Sequence, residues 1–482
     1  MLPQIWPAIL TLGWILFAIA AGEAVMALVA LAARDGLELV FASNAAITML
    51  FAGACVLTTK GRAFELRFRD AALLTVVAWV VVPVFGGLPL MAEPSDLGFA
   101  DAYFEAVSAL TTTGSTVMVG LDDLPPSVLL WRSTMQWIGG IGIIGLAILI
   151  LPFLKIGGMQ LFRLEWSDRT ENVMPRVRSV ATAVGQIYLA LTIACFLSYW
   201  ALGMSPFDAL NHAFTTVCTG GFSTHDASFA WFDSDALDWA CIVFMIGGGV
   251  PFLAYLRILR RGSLRQRIDT QVVAFLLAAA ALSATLGIWL NLQHGMGGFD
   301  ATTHAVFAVI AVMTTTGYAS NDYVAWGTFA ATFVFLVSFV GGCTGSTSGG
   351  VKIFRYQIML RVVGQHIRRA IHPHVVSPMR YGDRVVSEEE AGSVGTFFYL
   401  YFLAFAIMSL MLSLLGMDAA TALSAVAATL GNVGPGITEA IGPAGNFADL
   451  PEAAKIILSF AMILGRLEIL GVLILFLPSF YR

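Results

Sequence analysis

Three short stretches of an otherwise apolar chain carry the groups that could do chemistry. They are Thr111–Thr112–Thr113–Gly114–Ser115, Cys218–Thr219–Gly220–Gly221–Phe222–Ser223 and Thr314–Thr315–Thr316–Gly317–Tyr318. A looser fourth relative is Gly431–Asn432–Val433–Gly434–Pro435–Gly436. Hydroxyls, glycine and backbone carbonyls supply oxygen ligands that can replace the hydration shell of a monovalent cation such as K⁺. Aligned on Gly114, Gly220, Gly317 and Gly434, the motifs recur at intervals of 106, 97 and 117 residues. A short stretch opening with an acid (Asp101, Asp208, Asp300, Asp418) precedes each one. An acid there can accept from free N–H groups and complement the positive end of a helix dipole.

The elements that hold these motifs are set by composition. Of 482 residues, 58% are hydrophobic and only 12% charged, against roughly a quarter charged in soluble domains. Apolar runs at Thr11–Ala33, Ala71–Met91, Ala181–Leu202, Val272–Leu292, Phe397–Leu415 and Ile456–Leu477 are each long enough to cross a bilayer core of about 30 Å as a helix. The chain reads as an all-α polytopic membrane protein. Met1–Gln4 lacks a basic segment and no cleavage-site pattern follows, so a signal peptide is not expected. The five cysteines form no CxxC or metal-ligand spacing.

Orientation follows from the basic residues. Of the 26 Lys and Arg, 22 lie in Lys60–Arg69, Lys155–Arg178, Arg257–Arg267, Lys352–Arg384 and the terminal Arg482. These segments are expected on the cytoplasmic side, and the acid-rich connections on the other. The half-helices before the glycines are too short to span, and each lies between two apolar segments. The unit is therefore spanning helix, half-helix, non-helical segment, spanning helix, four times over. The expected division is two leading helices in 1–70, then units at 71–180, 181–269, 270–391 and 392–482. Both termini are then cytoplasmic after ten crossings.

Non-helical backbone at membrane depth is tolerated only where protein buries it or it lines water. Four such segments suggest pseudo-fourfold packing around an axis, with carbonyls turned inward and the negative ends of the half-helices favouring cations. The competing reading, small residues for close helix packing, suits one motif better than four. These motifs, the four-unit layout and the leading helix pair resemble the Trk/Ktr/HKT superfamily of potassium transporters, nearest its bacterial TrkH/TrkG branch. The resemblance covers essentially the whole chain. It implies potassium uptake across the bacterial inner membrane through a filter formed at Thr112, Thr113 and Gly114, Cys218, Thr219 and Gly220, Thr315, Thr316 and Gly317, and Asn432, Val433 and Gly434. Members with Ser at the first filter position tend toward Na⁺, so Gly114 implies K⁺.

After the third motif the apolar helix is interrupted by Gly341, Gly342, Cys343, Thr344, Gly345, Ser346, Thr347, Ser348, Gly349 and Gly350. Each interior glycine costs a helix about 0.8–1.0 kcal/mol relative to alanine, so the span is expected to break below the filter. The tract does not fit a phosphate-binding loop, since G-x-x-x-x-G-K-[ST] is not met. By resemblance it is the intramembrane gating loop. Lys352 follows it and is read as its anchor. By the same resemblance Arg466, deep in the last apolar run, stands in the pore below the filter and tunes conductance or gating. Pairing with Glu468 is disfavoured, because residues two apart do not face each other on a helix. Glu23 is expected to make an interhelix hydrogen bond. GGGVPF (247–252) and WIGGIGIIG (137–145) read as close helix contacts or bends, and His366, His372 and His374 as a solvated segment.

The alternatives are a Na⁺-permeable or Na⁺/H⁺-coupled transporter of the same superfamily and, remotely, a membrane-embedded enzyme, for which no clustered nucleophile and base is present. No organic cofactor is expected. The resemblance further implies a homodimer and a cytoplasmic RCK-type nucleotide-binding partner, TrkA. Its docking is expected on 154–180, 256–269 and 352–390, including an acidic turn at Glu388–Glu390.

Overall fold

The computed structural model describes residues 5–62, 68–149, 173–259, 269–375, 379–381 and 384–478. The expected basic loops 154–180 and 256–269, and Arg482, therefore lie largely outside the described residues. Helices dominate, and the one strand pairing among the described residues is the ribbon β1 (Arg380–Tyr381) with β2 (Arg384–Val385).

Helices α1 (Ile5–Ala33) and α2 (Glu38–Thr59) form the leading antiparallel pair. Unit one contains α3 (Phe68–Gly87), α4 (Phe99–Leu110) and α5 (Pro126–Leu149). Unit two contains α6 (Val173–Ala201), α7 (Pro206–Val217), α8 (Asp235–Gly249) and α9 (Phe252–Leu259). Unit three contains α10 (Thr270–His294), α11 (Gly298–Met313), α12 (Thr328–Val337) and α13 (Ile353–Ile371). Unit four contains α14 (Glu388–Leu414), α15 (Ala419–Leu430), α16 (Glu452–Arg466) and α17 (Ile469–Leu473). Among the described residues six helices are long and apolar enough to cross a membrane: α1, α2, α3 with its short continuation, α6, α10 and α14. Leu, Val and Trp side chains on their outer faces are exposed, as in Leu28, Leu50, Trp200, Leu277 and Leu410, which suits lipid rather than water as the surrounding medium.

Two expected spans are broken. The chain turns by 93° between α8 and α9, at the Gly-Pro tract, and by 108° between α16 and α17. The second break corrects the continuous helix expected over Ile456–Leu477: Glu468 has φ +58, a left-handed conformation that ends the helix. The Gly-rich interruption is longer than 341–350, because α12 ends at Val337 and α13 starts at Ile353. Glu388–Glu390 is not a separate turn but the first turn of α14. Ser387 and Glu390 form a reciprocal capping box there, which satisfies two free backbone N–H groups.

The acids before the short helices play unequal parts. Only Asp418 is itself a cap, accepting from Thr421 N at 3.0 Å, and contacts to Thr421 hold its carboxyl below the usual carboxylate range. For α7 the cap is Ser205, and Asp208 instead accepts from Thr224 Oγ1 at 2.7 Å. Asp101 pairs with Lys455 Nζ of unit four at 2.5 Å. Glu23 is fully buried and its carboxylate faces the Thr48 hydroxyl of α2, the kind of interhelix contact expected for it.

Candidate ion pathway

Helices α4, α7, α11 and α15 end in the same way. Each chain then turns through a left-handed residue, at Thr112 (φ +50), Thr219 (φ +53), Thr315 (φ +58) and Asn432 (φ +53). The next N–H reaches back five residues: Thr113 to Ser108 O, Gly220 to Thr215 O, Thr316 to Ala311 O and Val433 to Ala428 O, at 2.8–2.9 Å. One residue further comes a left-handed glycine, at Gly114 (φ +88), Gly221 (φ +76), Gly317 (φ +77) and Gly434 (φ +106).

This corrects the alignment in unit two. Gly221, not Gly220, matches Gly114, Gly317 and Gly434; Gly220 matches Thr113, and Cys218 matches the helix-end residues Thr111, Thr314 and Gly431. CTGG offers two glycines, and only backbone conformation shows which one takes the left-handed place.

The four segments meet in cyclic order. A Cβ at Gly114 would collide with Gly220 O, at Gly221 with Thr316 O, at Gly317 with Val433 O and at Gly434 with Thr113 O. Backbone from units one, two, three and four thus closes on itself through four carbonyls and four glycines. All four glycines line a cavity of about 80 Å³, whose wall also includes Arg132 and Asp226.

Side chains behind the segments hold their spacing. Gln136 of α5 donates to Gly220 O at 2.9 Å and accepts from Phe222 N at 3.2 Å. Asn432 donates to Thr113 Oγ1 at 2.9 Å and to Met462 O at 3.0 Å. The Tyr318 hydroxyl meets Thr215 Oγ1 at 2.5 Å. A buried ion pair, Arg132 with Glu105 at 2.7 Å, also engages Thr116 and stacks Arg132 4.2 Å from the Phe222 ring. Sequence reasoning missed Glu105, Arg132, Gln136 and Tyr318. For Glu105 and Arg132 the available signal was charge inside apolar stretches, which marks partnered or functional residues; Gln136 and Tyr318 carry no such signal.

The Gly-rich tract lies directly against these segments and is almost wholly buried. Thr347 Oγ1 donates to Val217 O (3.2 Å) and Gly248 O (3.0 Å), and Gly349 N donates to Thr315 Oγ1 (2.7 Å). The tract also packs on Gly431 and Asn432. Thr344 N donates to Gln271 Oε1 at 3.0 Å. Gly341, Gly345 and Gly350 take positive φ. Lys352 Nζ donates to Ser348 O at 2.7 Å, and so ties the tract to its own exit. Arg466 Nη1 donates to Thr347 O at 2.8 Å. Its Nε and Nη2 are buried without hydrogen bonds, and no carboxylate pairs with it among the described residues. Glu468 instead bonds Arg355 of α13 at 2.7 Å. Arg466, Lys352 and Glu468 share a cavity of about 20 Å³ with Gly345, Gly349 and Tyr401, room for about one water and too small for a hydrated cation. The glycines at 139, 248 and 465 pack on the last carbonyls of the short helices, at Leu110, Val217 and Leu430, as close helix contacts.

Among the described residues no group of three or more His, Cys, Asp or Glu is placed to chelate a metal ion. His366, His372 and His374 are exposed.

Residues 38–480 match the family described as "TrkH: Cation transport protein". The chain is 43% identical to the Trk system potassium uptake protein TrkI of Halomonas elongata, over 98% of this chain and 96% of that one. It is 38% identical to the Trk system potassium uptake protein TrkH of Vibrio parahaemolyticus, over 95% of each. The crystal structure of the potassium transporter TrkH from Vibrio parahaemolyticus superimposes with a TM-score of 0.91 at 36% identity, covering 99% of this chain and all of that one. These matches place the chain among transporters rather than membrane-embedded enzymes. The chain belongs to the TrkH family of cation transport proteins.

Proposed function

We propose that this protein takes up K⁺ through a central pore whose selectivity filter is the ring at Thr112–Gly114, Thr219–Gly221, Thr315–Gly317 and Asn432–Gly434, with Cys218 at the helix end beside it. The observation that carries this is the cyclic closure, in which each left-handed glycine abuts the carbonyl of the next segment. Packed carbonyls at fixed spacing can replace a monovalent ion's hydration shell, and the four short helices present their negative ends to the same place. The relatives are potassium uptake proteins by name, which favours K⁺ over Na⁺. The pore is pseudo-fourfold, with units that begin at α3, α6, α10 and α14 after the leading helix pair, a few residues before the expected divisions at 71, 181 and 392 and at the expected 270.

Selectivity tests the reading. Gly114→Ser puts a side chain against Gly220 O and opens the ring. In proteoliposomes this variant is expected to lose most of its preference for Rb⁺ over Na⁺, whereas an unchanged preference would count against the filter assignment. Rb⁺ failing to enter wild-type vesicles while Na⁺ does would favour a Na⁺ transporter instead.

The tract 341–350 is the gate, held shut by Lys352 and Arg466. A buried guanidinium below the filter repels cations, and its bond to Thr347 pins the tract. Arg466→Gln removes the charge and weakens the bond. Its Rb⁺ flux without any cytoplasmic partner is expected to rise several-fold over wild type; equal flux would remove Arg466 from gating. The protein is placed in the bacterial inner membrane with both termini cytoplasmic. It works as a homodimer with an RCK-type nucleotide-binding subunit docked on the basic loops.

A further inference from the structure

A second polar site lies beside the ion path. Between the start of α8 and unit three is a cavity of about 130 Å³ whose wall includes Asp233, Ser234, Asp235, Asp238, His304 and Asn321. Acids in the first turn of a helix complement its dipole, which accounts for the exposed Asp235. It does not account for Asp238. That residue is 7% exposed, yet its carboxylate takes no hydrogen bond and no ion pair from any described residue; its backbone N–H is bonded to Ser234 O. Its nearest charged neighbours are Asp235 and Asp233, both of the same sign. On the opposite wall Asn321 Nδ2 lies 2.9 Å from His304 Nδ1, and neither residue pairs with Asp238. A buried carboxylate is expensive unless it is protonated, paired or bound to a metal.

We propose that this cavity binds a divalent hard cation, Mg²⁺ or Ca²⁺, that keeps part of its water. Among the described residues no three His, Cys, Asp or Glu side chains converge here on a bare ion, so the ion proposed is one that keeps most of its water. Mg²⁺ characteristically retains several waters and takes one or two carboxylates. At about 10–15 Å³ of cavity volume per water, the cavity has room for a cation with several waters. Asp238 is the inner ligand, and Asp233 and Asp235 face the ion's outer waters.

The site is joined to the proposed filter, and its consequence for transport rests on that reading. Ala230 N donates to Ala319 O at 3.1 Å, and Ala319 N to Ser228 Oγ at 3.3 Å. The Phe229 ring lies 4.7 Å from Tyr318, the residue after Gly317. A cation that fixes residues 228–238 would therefore fix the outer end of the third filter segment.

The experiment is Mn²⁺ binding by electron paramagnetic resonance to the full chain in nanodiscs of zwitterionic lipid, with displacement by Mg²⁺, Ca²⁺ and K⁺. One saturable Mn²⁺ site is expected, displaced by Mg²⁺ or Ca²⁺, and the more effective of the two names the ion. Asp238→Asn, nearly isosteric, is expected to weaken it about tenfold or more, since ligand charge sets affinity in such sites. Asp449→Asn, an exposed acid elsewhere, should leave it unchanged. Metal-free melting temperatures confirm that both variants fold. Wild-type binding in Asp238→Asn, equal loss in Asp449→Asn, absence of a saturable site, or displacement by K⁺ as readily as by Mg²⁺ would each overturn the proposal. Gly114→Ser is expected to bind Mn²⁺ normally, so failure of the filter reading and failure of this site remain distinguishable.

Discussion

Gly221→Ala is expected to abolish Rb⁺ uptake, while Gly220→Ala retains a measurable part of it. Gly221 has φ +76, and an added Cβ would strike the Thr316 carbonyl oxygen. An L-residue in the left-handed region costs roughly 1–2 kcal/mol. The colliding atom is backbone of the neighbouring segment, so it cannot swing aside without spoiling the ring. At 1.4 kcal/mol per factor of ten, strain and displacement together predict a loss of about 100-fold or more. Gly220 has no positive φ, and its added Cβ would meet the Gln136 side chain. Gln136 can rotate away by giving up its bonds to Gly220 O and Phe222 N, about 1 kcal/mol each. A loss of about 30-fold follows. Uptake normalised to protein in the membrane checks both variants. The reverse order would restore Gly220 as the counterpart of Gly114 and defeat the register derived from the backbone.

The second large effect concerns stability. Glu468→Gln is expected to destabilise the protein by about 3–5 kcal/mol, the cost of leaving one member of a buried ion pair uncompensated. Arg355 is fully buried, donates to Glu468 Oε2 at 2.7 Å and to Val351 O at 3.0 Å, and lies 3.7 Å from the Phe397 ring. The pair ties the start of α13 to the break between α16 and α17, on either side of the proposed gate. Replacing both partners with apolar residues of similar size, Arg355→Met with Glu468→Leu, is expected to recover most of the loss, because the interior then holds no unpaired charge. Thermal unfolding of the detergent-solubilised protein gives the comparison. A double variant as unstable as Glu468→Gln would mean that the pair contributes specific attraction rather than mutual neutralisation.

Both predictions turn on the boundary between local and long-range information. The apolar runs were legible because crossing a bilayer needs only length and hydropathy, properties of about twenty consecutive residues. The Gly-rich break was legible because glycine weakens a helix wherever it stands, although the interruption is longer than the glycine tract itself. Arg466 stood out because a charge in an apolar run is costly; its bond to Thr347 could not be seen, since the two are 119 residues apart.

The sequence by itself determined that the chain spans a membrane and carries four related glycine motifs after short helices, because hydropathy, glycine content and internal repetition are written in consecutive residues. Only the tertiary structure decided which glycine of Cys218–Gly221 takes the left-handed place, that Glu468 belongs to Arg355 and not to Arg466, and that Glu105 and Arg132 form a pair behind the ring. Each of these depends on which backbone or charge another part of the chain brings into contact, and contact between residues from 27 to more than a hundred positions apart is fixed by packing rather than by local propensity.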